Sequence, residues 1–140
     1  MYVGKAIITD TPSYSMPRYI RGVAEAKVVL SSALNDRENE CFIIVHLSDE
    51  LENLQFTCHR GSASAVLSPT RKIIADVAEL GTRGLLLAHN HPSGDPTPSD
   101  SDLRVTKRLA SACEALDVSI VDHLIYGQGD WFSFREKGYL

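Results

Sequence analysis

The chain lacks any long apolar run. Its 140 residues contain no stretch near the roughly 20 apolar residues that a membrane-spanning helix requires. The N-terminus also lacks a basic region followed by an apolar segment, the pattern of a secretory signal. We therefore expect a soluble, cytoplasmic protein.

Cysteine is scarce and follows no pattern. The three cysteines, Cys41, Cys58 and Cys113, are far apart, and none belongs to a Cys-x-x-Cys pair. An odd number without a framework is typical of reduced thiols in a cytosol. Each lies among apolar residues, which indicates packing rather than chemistry. The absence of a His-x-Glu and a Pro-Cys-x-x-Cys motif also excludes a zinc deaminase.

An excess of positive charge is missing as well. The formal net charge is -4, whereas nonspecific nucleic-acid binding depends on a basic surface. Arg104, Lys107 and Arg108 gather on one predicted helix, where we interpret them as a solvated face. Nucleic acid is therefore disfavoured as a partner, though not excluded.

The hydrophobic pattern predicts a single α/β domain. A hydrophobic content of 44% over 140 residues is sufficient for one core. We expect an N-terminal arm or edge strand over residues 1–20 and one domain over residues 21–140. Helices are predicted near residues 21–35, 68–80 and 103–116, and strands near residues 40–47, 54–59, 84–88, 118–126 and 131–134.

Two connections carry local predictions. Ser68 and Pro69 supply a helix cap and a proline at the first helical position, and Gly81 ends that helix. Residues 60–64 are polar and rich in small side chains, which indicates a flexible connection. The order of elements predicts a three-layer-like α/β sandwich on a mixed sheet.

The most informative stretch follows the strand at residues 84–88. His89 and His91 are two residues apart, so their side chains point to the same side of a strand. After a loop rich in proline and glycine, Asp102 falls on the first turn of the next helix. Two imidazoles and one carboxylate, with one position left for water, are the ligands of a catalytic zinc ion. A structural alternative is open, because Ser99 and Asp102 also fit a helix N-cap with an acidic residue at its third position.

This stretch resembles the JAB/MPN metalloprotease domain, also called JAMM. The family pattern is His-x-His, seven residues, then Ser-x-x-Asp, and His89, His91, Ser99 and Asp102 match it. The wording His-Asn-His-Pro-Ser-Gly-Asp-Pro-x-Pro-Ser is similar to the RadC branch. So are Asp-His-Leu-Ile at residues 122–125 and the closing Ser-Phe-Arg-Glu-Lys-Gly. The resemblance covers roughly residues 38–140, and it implies a cytidine-deaminase-like architecture.

The resemblance also implies a mechanism and a set of roles. His89, His91 and Asp102 would hold Zn²⁺ and a water molecule. Glu40 would be the general base, with Glu38 and Glu50 as weaker candidates. Ser99 would donate a hydrogen bond to the oxyanion. Two further residues are candidates for orienting a ligand, namely Asp122 and His123.

The implied function is a zinc-dependent peptidase or isopeptidase that acts on a peptide or protein. One alternative is a non-catalytic, metal-bound interaction module, and another is a DNA-associated accessory protein of the RadC type. Asn90 stands where many JAMM peptidases carry serine or threonine. Longer RadC proteins carry helix-hairpin-helix repeats ahead of this domain, and residues 1–35 are too few to hold them.

Overall fold

The computed structural model describes residues 5–8 as backbone, and residues 16–67 and 70–140 in full. Along these residues the elements are β1 (Lys5–Ile8), α1 (Val23–Ala33), β2 (Cys41–Leu47), β3 (Asn53–Arg60), α2 (Ala63–Leu67), α3 (Thr70–Leu80), β4 (Gly84–Asn90), α4 (Asp100–Glu114), β5 (Ser119–Gly127) and β6 (Asp130–Ser133).

The strands of this described part form one mixed sheet in the order β1-β3-β2-β4-β5-β6. β2 pairs antiparallel with β3 and with β4, whereas β4 runs parallel to β5. Every residue of β2 and of β4 is buried. The apolar run near residues 40–47 predicts a buried central strand, and the structure confirms it. β1 lies at one edge, parallel to β3, within the predicted N-terminal arm.

Successive residues of β2 point to opposite faces of the sheet and so belong to two different cores. On one face, Ile43 and Val45 belong to a cluster that includes Ala26 and Leu30 of α1. On the other face, Phe42 and Ile44 belong to a cluster with residues of α2, α3 and α4. The result is the predicted α/β sandwich, with α1 on one side of the sheet and three helices on the other.

The structure corrects two local predictions. The connection expected to be flexible contains the start of α2, whose buried Ala63 and Leu67 lie four residues apart on one face. Leu116, expected on the inner side of α4, is 45% exposed because that helix ends at Glu114. Gly81 adopts a φ of 69° directly after α3 and ends it as predicted. The predicted cap at residues 68–69 lies outside the described residues.

None of the helices in the described part is both long enough and apolar enough to cross a bilayer.

Candidate metal centre

The sheet brings the candidate ligands together at the end of β4. His89 is the last residue of β4 that pairs with β2. It lies opposite Phe42, and the two rings stack with centroids 5.3 Å apart. His91 follows two residues later and so emerges on the same side. Extending the antiparallel register by two residues places Glu40 opposite His91. The chain pairing itself therefore delivers an acidic side chain to the two histidines.

Three ligand atoms lie at metal-binding spacing. The Nε2 atoms of His89 and His91 are 3.2 Å apart, and Asp102 Oδ2 lies 3.5 Å and 3.1 Å from them. Zinc bonds to nitrogen and carboxylate oxygen are about 2.0–2.2 Å, so two ligands of a tetrahedral ion are separated by about 3.3–3.6 Å. The three atoms therefore fit the corners of a tetrahedral site, with a fourth corner available for water.

Glu40 lies on the border of the same site. Its Oε1 is 3.8 Å from His91 Nε2, and Glu40, His89 and His91 offer ligand atoms that all lie within 4.8 Å of one another. These residues form a cluster that can bind a metal ion. Glu40 is half-buried, whereas Asp102 is buried, so Glu40 is the carboxylate with more access to a solvent molecule.

Hydrogen bonds on the outer side of each ring leave its Nε2 lone pair for a metal. His91 Nδ1 lies 2.9 Å from the carbonyl oxygen of Asp95. A carbonyl oxygen only accepts, so Nδ1 must carry the proton and donate it. In neutral His91, Nε2 is then unprotonated and faces the ligand cluster, as metal coordination requires.

A longer chain of hydrogen bonds fixes the tautomer of His89. The hydroxyl of Thr106 donates to the carbonyl oxygen of Asp102 at 2.7 Å, so it accepts from His123 Nδ1, also at 2.7 Å. Neutral His123 then has an unprotonated Nε2, which accepts from His89 Nδ1 at 2.8 Å. Burial holds the pKa of His123 well below its ordinary value, in agreement with a neutral ring. His89 Nε2 therefore also presents a lone pair to the ligand cluster.

The charges of the pair His91 and Asp102 suit a cation. Burial by itself would raise the pKa of Asp102, but hydrogen bonds with His89 and His91 outweigh it and hold that pKa far below its usual range. In the metal-free site His91 donates to Asp102 Oδ2 only when its Nε2 is protonated, and this hydrogen bond raises the pKa of His91, against the lowering effect of burial. A metal ion would take the place of that proton. The carboxylate is thus ionised at neutral pH, and its environment favours a positive charge beside it.

Ser99 and Asp102 also form the structural cap that the sequence allowed. Ser99 Oγ accepts from the backbone N–H of Asp102 at 3.0 Å, and Asp102 Oδ2 accepts from the N–H of Ser99 at 2.9 Å. This reciprocal arrangement is a capping box at the N-terminus of α4. The cap aims the same Oδ2 at the histidines, so the capping geometry and the ligand geometry are one arrangement. Ser99 is exposed, which leaves its hydroxyl proton accessible.

The two candidates for orienting a ligand, His123 and Asp122, have different contacts. His123 contacts His89 directly, as described above. Asp122 Oδ1 accepts from the backbone N–H groups of His123 and Arg135, and Oδ2 accepts from the hydroxyl of Ser133, so Asp122 joins the C-terminal turn to β5 next to His123. The pairing of β4 with β5 shifts register just before Asp122. Glu38 is exposed and Glu50 lies in the turn after β2, and no contact of either with the histidines is found among the described residues.

Asn90, between the two histidines, is a clamp that sequence reasoning missed. Its side chain is buried; Oδ1 accepts from the N–H of Cys41 at 2.6 Å, and Nδ2 donates to the carbonyls of Asp36 and Asn39 at 2.8 and 3.0 Å. Two of these partners, Asn39 and Cys41, are the residues immediately before and after Glu40 in the chain. Asn90 therefore joins β4 to the segment that presents Glu40. An amide at this position offers both a donor and an acceptor, which a serine hydroxyl cannot do over the same span.

Replacing Asn90 with alanine is expected to destabilise the fold. The change leaves the buried N–H of Cys41 without its acceptor and removes two further bonds, and each buried group left unsatisfied costs about 1–3 kcal/mol. We expect the free energy of unfolding to fall by about 2–4 kcal/mol, measured by urea denaturation. Asn39→Ala, in which the backbone carbonyl that Asn90 uses is kept, is the control. An Asn90→Ala variant as stable as the control would contradict the clamp.

His46 and His59, which the sequence leaves outside the site, lie elsewhere. His46 Nδ1 is 2.8 Å from Thr82 Oγ1, and His59 Nε2 is 3.0 Å from Thr57 Oγ1. Burial lowers the pKa of His46 from its ordinary 6.5 to about 4, so this imidazole is neutral in the folded protein near pH 7.

This buried imidazole predicts acid sensitivity. Between about pH 6.5 and pH 4 the unfolded chain protonates His46 and the folded chain does not, so stability falls as pH falls through that window. The contribution lost between about pH 7 and pH 4.5 is about 2–3 kcal/mol. The free energy of unfolding, measured by urea denaturation at these two pH values, should fall by about 2–3 kcal/mol less in His46→Gln than in the parent protein. Equal losses in both proteins would show that His46 titrates normally.

Comparison with known proteins identifies the family of the chain. The sheet and the histidine cluster define an α/β domain that can bind a metal ion, and a family model described as the RadC-like JAB domain matches residues 20–139. The chain belongs to the RadC-like JAB domain family. It is 40% identical to UPF0758 protein SPO0054 of Ruegeria pomeroyi over 99% of this chain and 67% of that protein. It is 38% identical to a UPF0758 protein of Aquifex aeolicus over 86% of this chain. The chain spans about two thirds of the first relative and about half (52%) of the second.

Proposed function

We propose that the protein is a zinc-dependent hydrolase of amide bonds, a peptidase or isopeptidase acting on a peptide or protein. One observation carries the proposal: His89, His91 and Asp102 present three ligand atoms at 3.1–3.5 Å, and Glu40 stands beside them without being needed as a third ligand. Zinc is the metal whose preferred ligands and tetrahedral geometry match this set.

The residues divide the chemistry among them. Bound zinc would supply a water whose pKa falls from about 15.7 to about 7, and would polarise the carbonyl of the scissile bond. Glu40 is half-buried, with its Oε1 3.8 Å from His91 Nε2, and would act as the general base that holds the proton of the attacking water and gives it to the leaving amine. The exposed hydroxyl of Ser99 donates to the carbonyl oxygen as negative charge develops there. The hydrogen-bond chain through His123 and Thr106 holds the tautomer of His89 throughout.

The test separates metal binding from hydrolysis. The purified protein is stripped of metal, reloaded with zinc, and assayed for zinc stoichiometry and for cleavage of a peptide library and of lysine-linked isopeptide substrates. We expect about one zinc per chain and cleavage that requires it. No zinc binding would overturn the proposal outright. Zinc binding without cleavage of any substrate would instead favour the metal-bound interaction module.

A further inference from the structure

The hairpin that joins β5 to β6 lies against the loop that carries the candidate ligand His91. We call residues 91–98 the metal loop. The N–H of His91 donates to the carbonyl oxygen of Tyr126 at 2.9 Å, so the loop leaves the sheet directly beside β5. Gly127 is the next residue, the last of β5, and it pairs with the first residue of β6. The metal loop therefore packs on the start of this hairpin.

At Gly127 the two backbones approach so closely that no side chain fits between them. A Cβ atom on Gly127 would lie 2.5 Å from the carbonyl oxygen of Gly94, 2.7 Å from its carbonyl carbon and 3.0 Å from the nitrogen of Pro96. These are backbone atoms, which cannot rotate away as the end of a side chain can. The φ of Gly127 is not in the left-handed region, so the backbone conformation alone does not demand glycine. The close approach does.

The atoms that Gly127 meets belong to the two peptide bonds of Asp95. The carbonyl carbon of Gly94 is bonded to the nitrogen of Asp95, and the nitrogen of Pro96 is bonded to its carbonyl carbon. The carbonyl oxygen of Asp95 accepts from His91 Nδ1 at 2.9 Å. Gly127 therefore borders, on both sides, the residue whose carbonyl orients the His91 ring.

Gln128, the next residue of the hairpin, covers the same loop with its side chain. Gly94 has a φ of 91°, and a Cβ atom on it would lie 2.5–2.6 Å from Cγ, Cδ and Nε2 of Gln128. The side chain of Gln128 thus lies across Gly94. The N–H of Gly94 donates to the carbonyl oxygen of His91 at 2.9 Å and closes a tight turn. Both hairpin residues contact the turn that begins at His91.

We propose that Gly127, together with Gln128, is a positioning residue for His91: it sets the place of the Asp95 carbonyl and, through it, the orientation of the imidazole. The inference rests on the metal site of the proposed function. A metal-binding histidine depends on the group that accepts from its second ring nitrogen, and loss of that group lowers metal affinity by about 10–100-fold. With the Asp95 carbonyl displaced, the ring could turn and Nε2 would no longer point toward the other two ligands.

The test is the zinc affinity of Gly127→Ala, measured by competition with a chelator, beside its Tm without metal. We expect the affinity to fall by about 10–100-fold, because the added methyl group displaces the backbone around Asp95. The visible spectrum of the cobalt-substituted protein should also change, since it reports the geometry of the ligands. Gly84→Ala is the control, because its Cβ would lie 3.2 Å from Val121 Cγ2 at the opposite end of β4. It crowds the same sheet and should bind zinc as the parent protein does.

A second pair of variants tests the contact without a clash and decides the matter if Gly127→Ala does not fold. Gln128→Ala uncovers Gly94 and should lower zinc affinity, whereas Gln128→Met keeps a long side chain there and should retain it. If Gly127→Ala lowers Tm but binds zinc as the parent does, the contact is purely structural and the assignment is overturned. Parental zinc affinity in Gln128→Ala would overturn it when Gly127→Ala cannot be purified. A parent protein that binds no zinc would instead contradict the proposed function itself.

Discussion

Replacing Glu40 with glutamine is expected to reduce zinc-dependent hydrolysis by about 10²–10⁴-fold, the usual contribution of a general acid–base group. Glutamine keeps the shape of the side chain but cannot act as a base, because its neutral amide does not take up a proton. Glu40 is half-buried beside His91 rather than in the core, so the substitution should leave the fold intact. The measurement is kcat/KM on any substrate found by the library screen.

The same experiment has a matched control in the chain. Glu38 is an exposed carboxylate two residues away in the same segment, and Glu38→Gln makes the identical charge change outside the site. Zinc content should be unchanged in both variants, because His89, His91 and Asp102 are the three ligands in the proposed site. Equal activity of Glu40→Gln and the parent protein would exclude Glu40 as the base. Loss of zinc in Glu40→Gln would indicate that Glu40 is a ligand instead.

The parts of the fold that could be predicted are those with a dense local pattern. β2 and β4 are continuous apolar runs, and runs of this kind are typical of central strands covered on both faces. The end of α3 at Gly81 follows from the ease with which glycine adopts a positive φ. The helix α2 escaped prediction because five residues carry too little periodicity, and its stability comes from packing Ala63 and Leu67 on the sheet.

The candidate site was predictable where its residues are close in sequence. His89, His91 and Asp102 lie within fourteen positions, and the spacing of strand and helix residues indicates that they converge. The tautomer chain through Thr106 was not predictable, since it depends on the distance between α4 and β5, which no local pattern encodes. Asn90 could have been suspected, because a polar residue between two candidate ligands of a buried strand must find hydrogen-bond partners on the opposite face of the sheet.

β3 shows what the sequence pattern could not predict. Its alternating polar and apolar residues predict a strand with one face exposed to solvent. The structure covers the polar face with α2 and α3, so Gln55 and Thr57 line a cavity instead of solvent. Alternation reports the chemistry of a face, whereas burial depends on what packs over it.

Replacing Asp102 with asparagine is expected to lower zinc affinity more than the loss of a residue that only hydrogen-bonds to a ligand. Loss of such a residue typically lowers metal affinity by about 10–100-fold. Among the three proposed ligands only Asp102 carries a negative charge, and the neutral amide of asparagine cannot balance the charge of the ion. The side-chain oxygen of asparagine can still accept from the N–H of Ser99, so the cap of α4 is retained. The measurement is zinc content by elemental analysis and affinity by competition with a chelator.

Asp100→Asn is the matched control for this change. Asp100 lies in the same first turn of α4 and is exposed, so its substitution removes the same charge from the same end of the helix dipole. Zinc affinity should stay at the parental value in Asp100→Asn and fall only in Asp102→Asn. Equal affinity in both variants would exclude Asp102 as a ligand and leave Glu40, His89 and His91 as the metal-binding cluster. In that event Glu40 would be a ligand, and the base that activates water would have to be sought elsewhere.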